Sequence, residues 1–385
     1  MARYGARARD MALRSIPSDV LSVLVSTRVG LTLVGVIAVA TLPAGHPSVT
    51  SPATGILPID VWTRWDAPFY VNIALFGYDA RPPLPNIVFF PLYPALIRAV
   101  AFIGGDWTLR YWVAALGISL VSLVAAVGYL VALARLDLGD AVARRAAVLL
   151  LVFPTSLFLT AAYPESLFLA LSVASFYYAR RGTWWVVGLL GLAASLTRPY
   201  GALLAIPLAF EYLLQRDFDV RRIRPSILWI GLVPVGLASF LGYIAWKFQD
   251  PGVMGAAQEI WGRGALPPWD VLARYVEGPL IVHGFSYLGS SLVDLGFAAF
   301  FAVMAIHAWR RLRPTYALYA TLLLLAFLSS GKFVSVPRYG LALFPVFLGL
   351  ALLAEGSPRR DAIVSVSLLF AGLAMALYAT VYWVA

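Results

Sequence analysis

The chain has 385 residues, 61% of them hydrophobic and only 12% charged. A soluble domain carries about 25% charged residues, so an ordinary soluble domain and a disordered chain are both excluded. The net charge of +10, with all but two of the 29 basic residues arginine, would suggest nucleic acid in a soluble protein; in a membrane protein it reads as the charge of cytoplasmic loops, and no nucleic-acid partner is expected. Apolar residues run the whole length, so residues 1–385 read as a single all-α polytopic membrane domain. The absence of cysteine removes disulfides, thiolate metal sites and cysteine nucleophiles. Three scattered histidines, His46, His283 and His307, argue against a histidine zinc site.

In chain order, a basic head (Arg3, Arg7, Arg9, Arg14) precedes the apolar stretch 20–42. That stretch is too long for a cleaved signal peptide and contains Arg28, so a retained helix is expected. About 20 apolar residues cross a bilayer, and further candidates run 111–134, 146–163, 165–179, 184–197, 199–214, 226–248, 284–308, 315–330, 338–354 and 362–384, eleven in all. The stretch 87–104 is apolar enough to span but holds Pro91, Pro94 and Arg98. Leaving it out places 1–19, 135–145, 180–183, 215–225, 309–314 and 355–361 on one side, and eighteen of the 29 basic residues with them. The positive-inside bias makes that side cytoplasmic. The stretch 87–104 is then re-entrant or interfacial, the N-terminus is inside, and 43–110 and 249–283 are outer loops.

Most polar residues that topology leaves unexplained fall on the outer face. In Arg64-Trp65-Asp66-Ala67-Pro68-Phe69-Tyr70, Pro68 suits a helix start and Gly77 a helix end. Phe69, Ile73 and Phe76 repeat at helical spacing, as in a short helix lying in the interface. Asp66 is then either a carboxylate favoured by a helix N-terminus or a general base or metal ligand beside the bilayer. Tyr163-Pro164-Glu165 marks a second outer helix start, where Glu165 is ordinary structurally. Arg198 before Pro199, and Lys332 and Arg338 around Pro337, stand at outer helix starts, where the helix dipole disfavours cations. They either pair with an outer carboxylate such as Glu165 or form an anion site. In the second outer loop, which runs through Gln258 and Arg263, Trp261 and Trp269 fit an interfacial aromatic belt or, with adjacent polar groups, a ligand cleft. Within spans, Arg28 and Asp294 need partners. Phosphate-loop, dinucleotide and HExxH zinc motifs are all absent.

The run from Arg64 to Tyr78 resembles a family motif of the form WDxxxYxxIAxxGY, and Phe89-Phe90-Pro91-Leu92-Tyr93-Pro94 resembles the same family's FFPLYP. Softer matches are Phe153-Pro154-Thr155-Ser156-Leu157-Phe158, Ala162 to Phe168 (with Pro164 where the family has Ser) and Arg338-Tyr339-Gly340. Together they resemble, over roughly 60–350, the PIG-V or GPI mannosyltransferase II-like family of integral membrane glycosyltransferases. The resemblance implies a GT-C-type bundle and transfer of a sugar, most simply mannose, from a polyprenyl-phosphate donor with inversion at the anomeric carbon. It implies an active site on the outer face and a catalytic carboxylate in the first outer loop, at Asp66. Arg198, Lys332, Arg338 and Arg64 are then candidates for the donor phosphate, and Trp65, Tyr70, Tyr163, Glu165, Gln258 and Trp261 for substrate. No cofactor is expected: Asp60, Asp66 and Asp79 share a loop, which leaves a divalent metal open, but their spacing fits no metal pattern. The acceptor would be a glycolipid, glycan or protein, and the arginine-rich composition suggests a bacterial cell membrane. A transporter or flippase of a lipid-linked substrate is the alternative, although the internal repeats usual in transporters are not evident.

Overall fold

The computed structural model describes residues 16–46, 53–102, 107–277 and 284–384, and the side chains of 107 and 274–291 are not described. The basic head and His283 lie outside the described residues. Helices α1 (Ser18–Thr41), α2 (Ala67–Phe76), α3 (Leu92–Ala101), α4 (Trp107–Asp137), α5 (Asp140–Val152), α6 (Glu165–Arg180), α7 (Trp184–Thr197) and α8 (Ala205–Leu214) make up the first part of the chain. They are followed by α9 (Leu232–Phe248), α10 (Val253–Ile260), α11 (Pro268–Glu277), α12 (Gly284–Arg311), α13 (Pro314–Leu328), α14 (Val336–Tyr339), α15 (Phe344–Leu353) and α16 (Ser357–Ala379). Among the described residues there is no strand.

Each stretch expected to span contains a helix, but helix length supports fewer crossings than eleven. Among the described residues five helical segments are long and apolar enough: Ser18–Thr41, Thr108–Asp137, Pro225–Phe248, Leu292–Arg311 and Ser357–Ala379. A sixth counts if the pair 336–342 and 344–353, bent by 85°, is one crossing. This is an integral multi-pass membrane protein. On α1, Leu21, Val25, Val29, Leu33 and Ile37 are exposed at a spacing of four, a continuous apolar stripe suited to lipid, while Val20, Leu24, Leu31 and Ala38 face the bundle.

The shorter helices end where the sequence forbids continuation. Phe153 is extended (φ −56°, ψ 143°) ahead of Pro154, so the expected span 146–163 breaks after Val152. Arg198 is extended (φ −153°, ψ 148°) ahead of Pro199, which divides α7 from the 3-10 turn Pro199–Leu204 leading into α8. Both follow from the clash that a proline imposes on the residue before it. The expected span 338–354 is likewise bent, at Leu343. The stretch 87–104 yields only the ten-residue α3, roughly 15 Å long and half the hydrocarbon thickness.

Close packing holds the bundle. α4 lies along α6, α7 packs between α6 and α9, α16 packs on α1, and α15 packs against α5 and α12. At the α7–α9 crossing, a Cβ at Gly188 would strike the Trp229 carbonyl and one at Gly236 the Leu192 carbonyl, so the backbones meet as closely as small residues allow. At one end of the bundle, Arg135 and Arg144 pair with Asp140, Arg144 with Asp19, Arg180 with Asp137, and Arg313 with Glu211.

Arg28 explains how the break after α5 is tolerated. Its guanidinium is buried and donates to the Leu151 carbonyl (2.7 Å), the Ser156 carbonyl (2.7 Å), Thr160 Oγ1 (3.0 Å) and Ser156 Oγ (3.2 Å). It thus satisfies carbonyls at the break between α5 and the 3-10 turn Ser156–Leu159. Arg28→Ala is expected to lower stability by roughly 3 kcal/mol, since it strands buried carbonyls. Arg28→Lys should recover only part, because an ammonium cannot fork to several acceptors. Thermal melting of the purified protein in detergent measures both.

Candidate functional site

Four breaks in the helices converge at the end of the bundle opposite the ion pairs just described. The first is 62–66. Trp65 adopts φ +60°, a left-handed conformation costly for a bulky residue, and two buried tyrosines hold the segment in place. The Tyr163 hydroxyl accepts from the Asp66 N–H and donates to the Arg64 carbonyl, both at 2.9 Å. The Tyr378 hydroxyl accepts from the Arg64 N–H and donates to the Arg64 carbonyl, both at 3.2 Å. Asp66 occupies the cap position of α2, yet its side chain makes no cap bond. The carboxylate turns instead to Arg338, with Oδ2 2.8 Å from Nη1.

Arg338 comes from α14, which follows Ser335, itself left-handed at φ +73°. Its guanidinium is buried and has a second carboxylate, Glu165 Oε1, at 3.3 Å from Nε. Glu165 opens α6, directly after Pro164, and also pairs with Arg198. Thr155 Oγ1 donates to the Pro337 carbonyl at 2.8 Å, which ties the break after α5 to the break before Arg338. The chain Asp66–Arg338–Glu165–Arg198 therefore joins residues from four separate regions. A small cavity of about 10 Å³ lies against Glu165, Phe168, Arg198, Tyr200, Arg338 and Tyr339, room for about one water. Glu165 Oε2 and Arg198 Nε are buried there without a hydrogen-bond partner.

Two contributors had no assigned role in the sequence reading. The Tyr339 ring lies between three guanidinium groups, 5.0 Å from Arg198, 5.1 Å from Arg338 and 5.4 Å from Arg263. Arg263 Nη2 donates to the Tyr339 hydroxyl at 2.6 Å. The loop that carries Arg263 is bonded to the end of α13, with Gly264 N–H to the Ser330 carbonyl (3.3 Å) and Leu266 N–H to the Ser329 carbonyl (3.0 Å). Arg263 was visible as an outer-loop cation next to Trp261, and Tyr339 as the neighbour of Arg338. What the sequence lacks is any local signal that the two meet.

The remaining expected site residues divide. Trp65 packs edge-on against Trp383 (4.9 Å) and His46 (5.7 Å) at the rim. Tyr163 and Tyr70, expected as substrate contacts, are buried. Tyr163 holds the backbone of Asp66, and Tyr70 packs against Phe89, Tyr93 and Tyr163 beneath it. Arg64 is buried with Nε on the Ala379 carbonyl (3.2 Å), the end of α16, and has no carboxylate within ion-pair distance among the described residues. Arg64, expected as a phosphate ligand, thus makes a helix-end contact through Nε. Lys332 is exposed and lies over Gly262, beside Arg263. Trp261 Nε1 donates to the Pro85 carbonyl (2.9 Å) and so joins the two loops 43–110 and 249–283, while Gln258 is half-buried on α10. Asp60 accepts from the Thr54 N–H and hydroxyl, and Asp79 pairs with Arg81, so neither turns toward Asp66. Among the described residues no three histidine or carboxylate side chains gather as a metal site would need.

Residues 47–226 match the family model described as mannosyltransferase (PIG-V). That region is similar to the family. The matched region contains Asp66, Glu165 and Arg198. A stretch of 146 residues is 33% identical to GPI alpha-1,6-mannosyltransferase 2 of Mus musculus, covering 36% of this chain and 29% of the mouse protein. The fold is similar to that of ArnT from Cupriavidus metallidurans, solved bound to undecaprenyl phosphate, with a TM-score of 0.53 and 16% identity over 91% of this chain and 62% of that one. The chain thus spans less than two thirds of either protein. The resemblance read from the motifs is borne out, and so is the all-α GT-C-type fold.

Tyr163→Phe should cost about 1–3 kcal/mol, because the Asp66 N–H and Arg64 carbonyl lose a shared partner in a buried site. Thermal melting of wild type and variant in the same detergent measures the loss, and an unchanged midpoint would remove the tyrosine clamp.

Proposed function

We propose that the protein is an inverting glycosyltransferase that moves a mannosyl unit from a polyprenyl-phosphate donor to an acceptor hydroxyl at the membrane–water boundary. The observation that carries this reading is the Asp66 carboxylate. In a segment matched by a mannosyltransferase family it stands at a helix start but does not cap the helix, and joins a buried cluster with three arginines close by. A carboxylate held in place by Arg338, with its side chain 16% exposed, suits a general base. The acceptor oxygen would bond to the anomeric carbon as that carbon's bond to the phosphate oxygen breaks. The hydroxyl proton passes to Asp66, and polyprenyl phosphate leaves as an anion.

Charge balance selects the residues that would meet the leaving phosphate. Asp66 and Glu165 are matched by Arg338 and Arg198. Arg263 and Lys332 have no carboxylate within ion-pair distance among the described residues. We therefore assign the phosphate chiefly to Arg263 and Lys332, with the unpaired Nε of Arg198 beside them, and give Arg338 the task of orienting Asp66 and Glu165. Guanidinium groups suit phosphate oxygens, and stabilising charge on a leaving oxygen is commonly a large part of catalysis. An apolar groove between spans would take the prenyl chain. No metal is assigned, since Asp60 and Asp79 are turned to other partners. The undecaprenyl phosphate bound by ArnT supports a lipid-phosphate donor for this fold.

Four results test the reading. With protein in lipid bilayers, polyprenyl-phosphate mannose and a panel of glycan and glycolipid acceptors, Asp66→Asn should lower turnover by roughly a hundred- to ten-thousand-fold; normal turnover would end the base assignment. Arg263→Gln should slow transfer by about a hundredfold, while a chelator should leave the rate unchanged. For orientation, the cysteine-free chain permits single-cysteine labelling. In intact bacterial cells a membrane-impermeant maleimide should label Gly264→Cys and spare Gly139→Cys, and the reverse pattern would place the site on the cytoplasmic face.

A further inference from the structure

A cavity of about 730 Å³ opens at the C-terminal end of α2, away from the ion-pair cluster, with Asn72, Phe76, Tyr78, Arg81, Asn86 and Phe248 in its lining. Asp66 and the cavity stand at opposite ends of α2. Phe69, Asn72 and Phe76 follow Asp66 at intervals of three, three and four residues, which keeps them on adjoining parts of one helix face. Asn72 and Phe76 are exposed and Phe69 is half-buried, whereas Ala67, Tyr70, Val71, Ile73 and Ala74 are buried. A ten-residue helix puts the cavity about 15 Å from Asp66. Aromatic rings border this path: Phe69 stacks on Phe89 (4.8 Å) and meets the edge of Trp261 (5.3 Å).

The chemistry of the cavity favours a neutral, hydroxyl-rich ligand. Its mouth is in water, since the Arg81 side chain is 86% exposed, and a charged pair at membrane depth would be expensive. Hydrogen bonds from Arg81 hold the Asp79 carboxyl down at about 2, so the two charges are present together and cancel. Lys247 is committed to the Tyr78 carbonyl at 3.0 Å. What remains is the Asn72 amide with the rings of Phe76 (82% exposed) and Phe248. Rings beside an amide match a sugar, which has an apolar C–H face and a rim of hydroxyls; a few placed polar groups on an apolar wall are the usual composition of a small-molecule site.

We propose that the exposed face of α2 and this cavity bind the acceptor as a glycan of more than one unit, the reacting unit at Asp66 and the following units over Phe69, Asn72 and Phe76. This deepens the transferase reading and rests on it. The test uses the full chain in bilayer discs and measures binding of mannose, glucose and N-acetylglucosamine series from one to four units by saturation-transfer NMR. At least one series should gain about tenfold in affinity with length, and Asn72→Ala and Phe248→Ala should each remove most of that gain. Asn72 is exposed, so its substitution leaves packing intact, and thermal melting checks both variants. Affinity independent of length, a gain that survives both substitutions, or a photoactivatable lipid that labels Phe76 and Phe248 without competition from any oligosaccharide would each overturn the proposal. Length-dependent binding that the substitutions remove, with no transfer to any of these glycans, would keep the site and end its role as the acceptor's, thereby separating the two readings.

Discussion

The interaction on which the site depends is the burial of Arg338 between two carboxylates. Withdrawing a guanidinium from water costs several kcal/mol unless opposite charge and hydrogen bonds replace the lost hydration. Asp66 and Glu165 supply that charge, from helix starts far apart in the chain. The pairing is also mutual for Asp66, whose ion pair is with Arg338, whereas Glu165 is shared between Arg338 and Arg198. Segments 62–66, 163–165, 198 and 335–339 are thereby obliged to meet at one point, and the paths of the helices before and after them follow from that meeting.

Such a cluster needs backbone that holds still, and the surrounding bonds go to backbone atoms. Tyr163 and Tyr378 grip Arg64 and Asp66 by their peptide groups and so sustain the left-handed Trp65. Thr155 grips the Pro337 carbonyl, and Arg28 binds the segment that carries Thr155 to the end of α5. A path of hydrogen bonds and covalent chain thus runs from a buried cation in α1 to the carboxylate at the start of α2. Side chains that look like substrate contacts in sequence, Tyr70 and Tyr163 among them, serve as this support.

The legible and illegible parts of the sequence divide along the same line. Apolar stretches locate the helices because burial and lipid contact depend on local composition. The number of crossings is less legible, since an apolar helix of ten residues next to a proline has the same hydropathy as one end of a long span. The ionic partners were partly legible: Arg198 stood against topological bias, and Glu165 was named as a partner for such a cation. The engagement of Asp66 by Arg338 rests on a separation of 272 residues, and no local pattern encodes it. Arg263 was missed for a related reason, since it reaches Tyr339 through backbone bonds between two loops that hydropathy treats as unrelated.

Prolines supply a local clue that ties these observations together. Each of the four ionised residues in the central chain lies within two positions of a proline: Asp66 before Pro68, Glu165 after Pro164, Arg198 before Pro199 and Arg338 after Pro337. Proline removes a donor and interrupts the helix, and an interrupted helix at membrane depth must find polar partners for its freed carbonyls. A place already polar for that reason is where a charged side chain costs least. Helix breaks and ion pairs are in this sense one feature, because the break creates the polar surroundings and the charges fix the break. Arg263 and Lys332 stand outside this arrangement, on loops rather than at proline breaks. Their charge is therefore not consumed in holding the fold, and it is the part of the positive field that remains for an incoming anion.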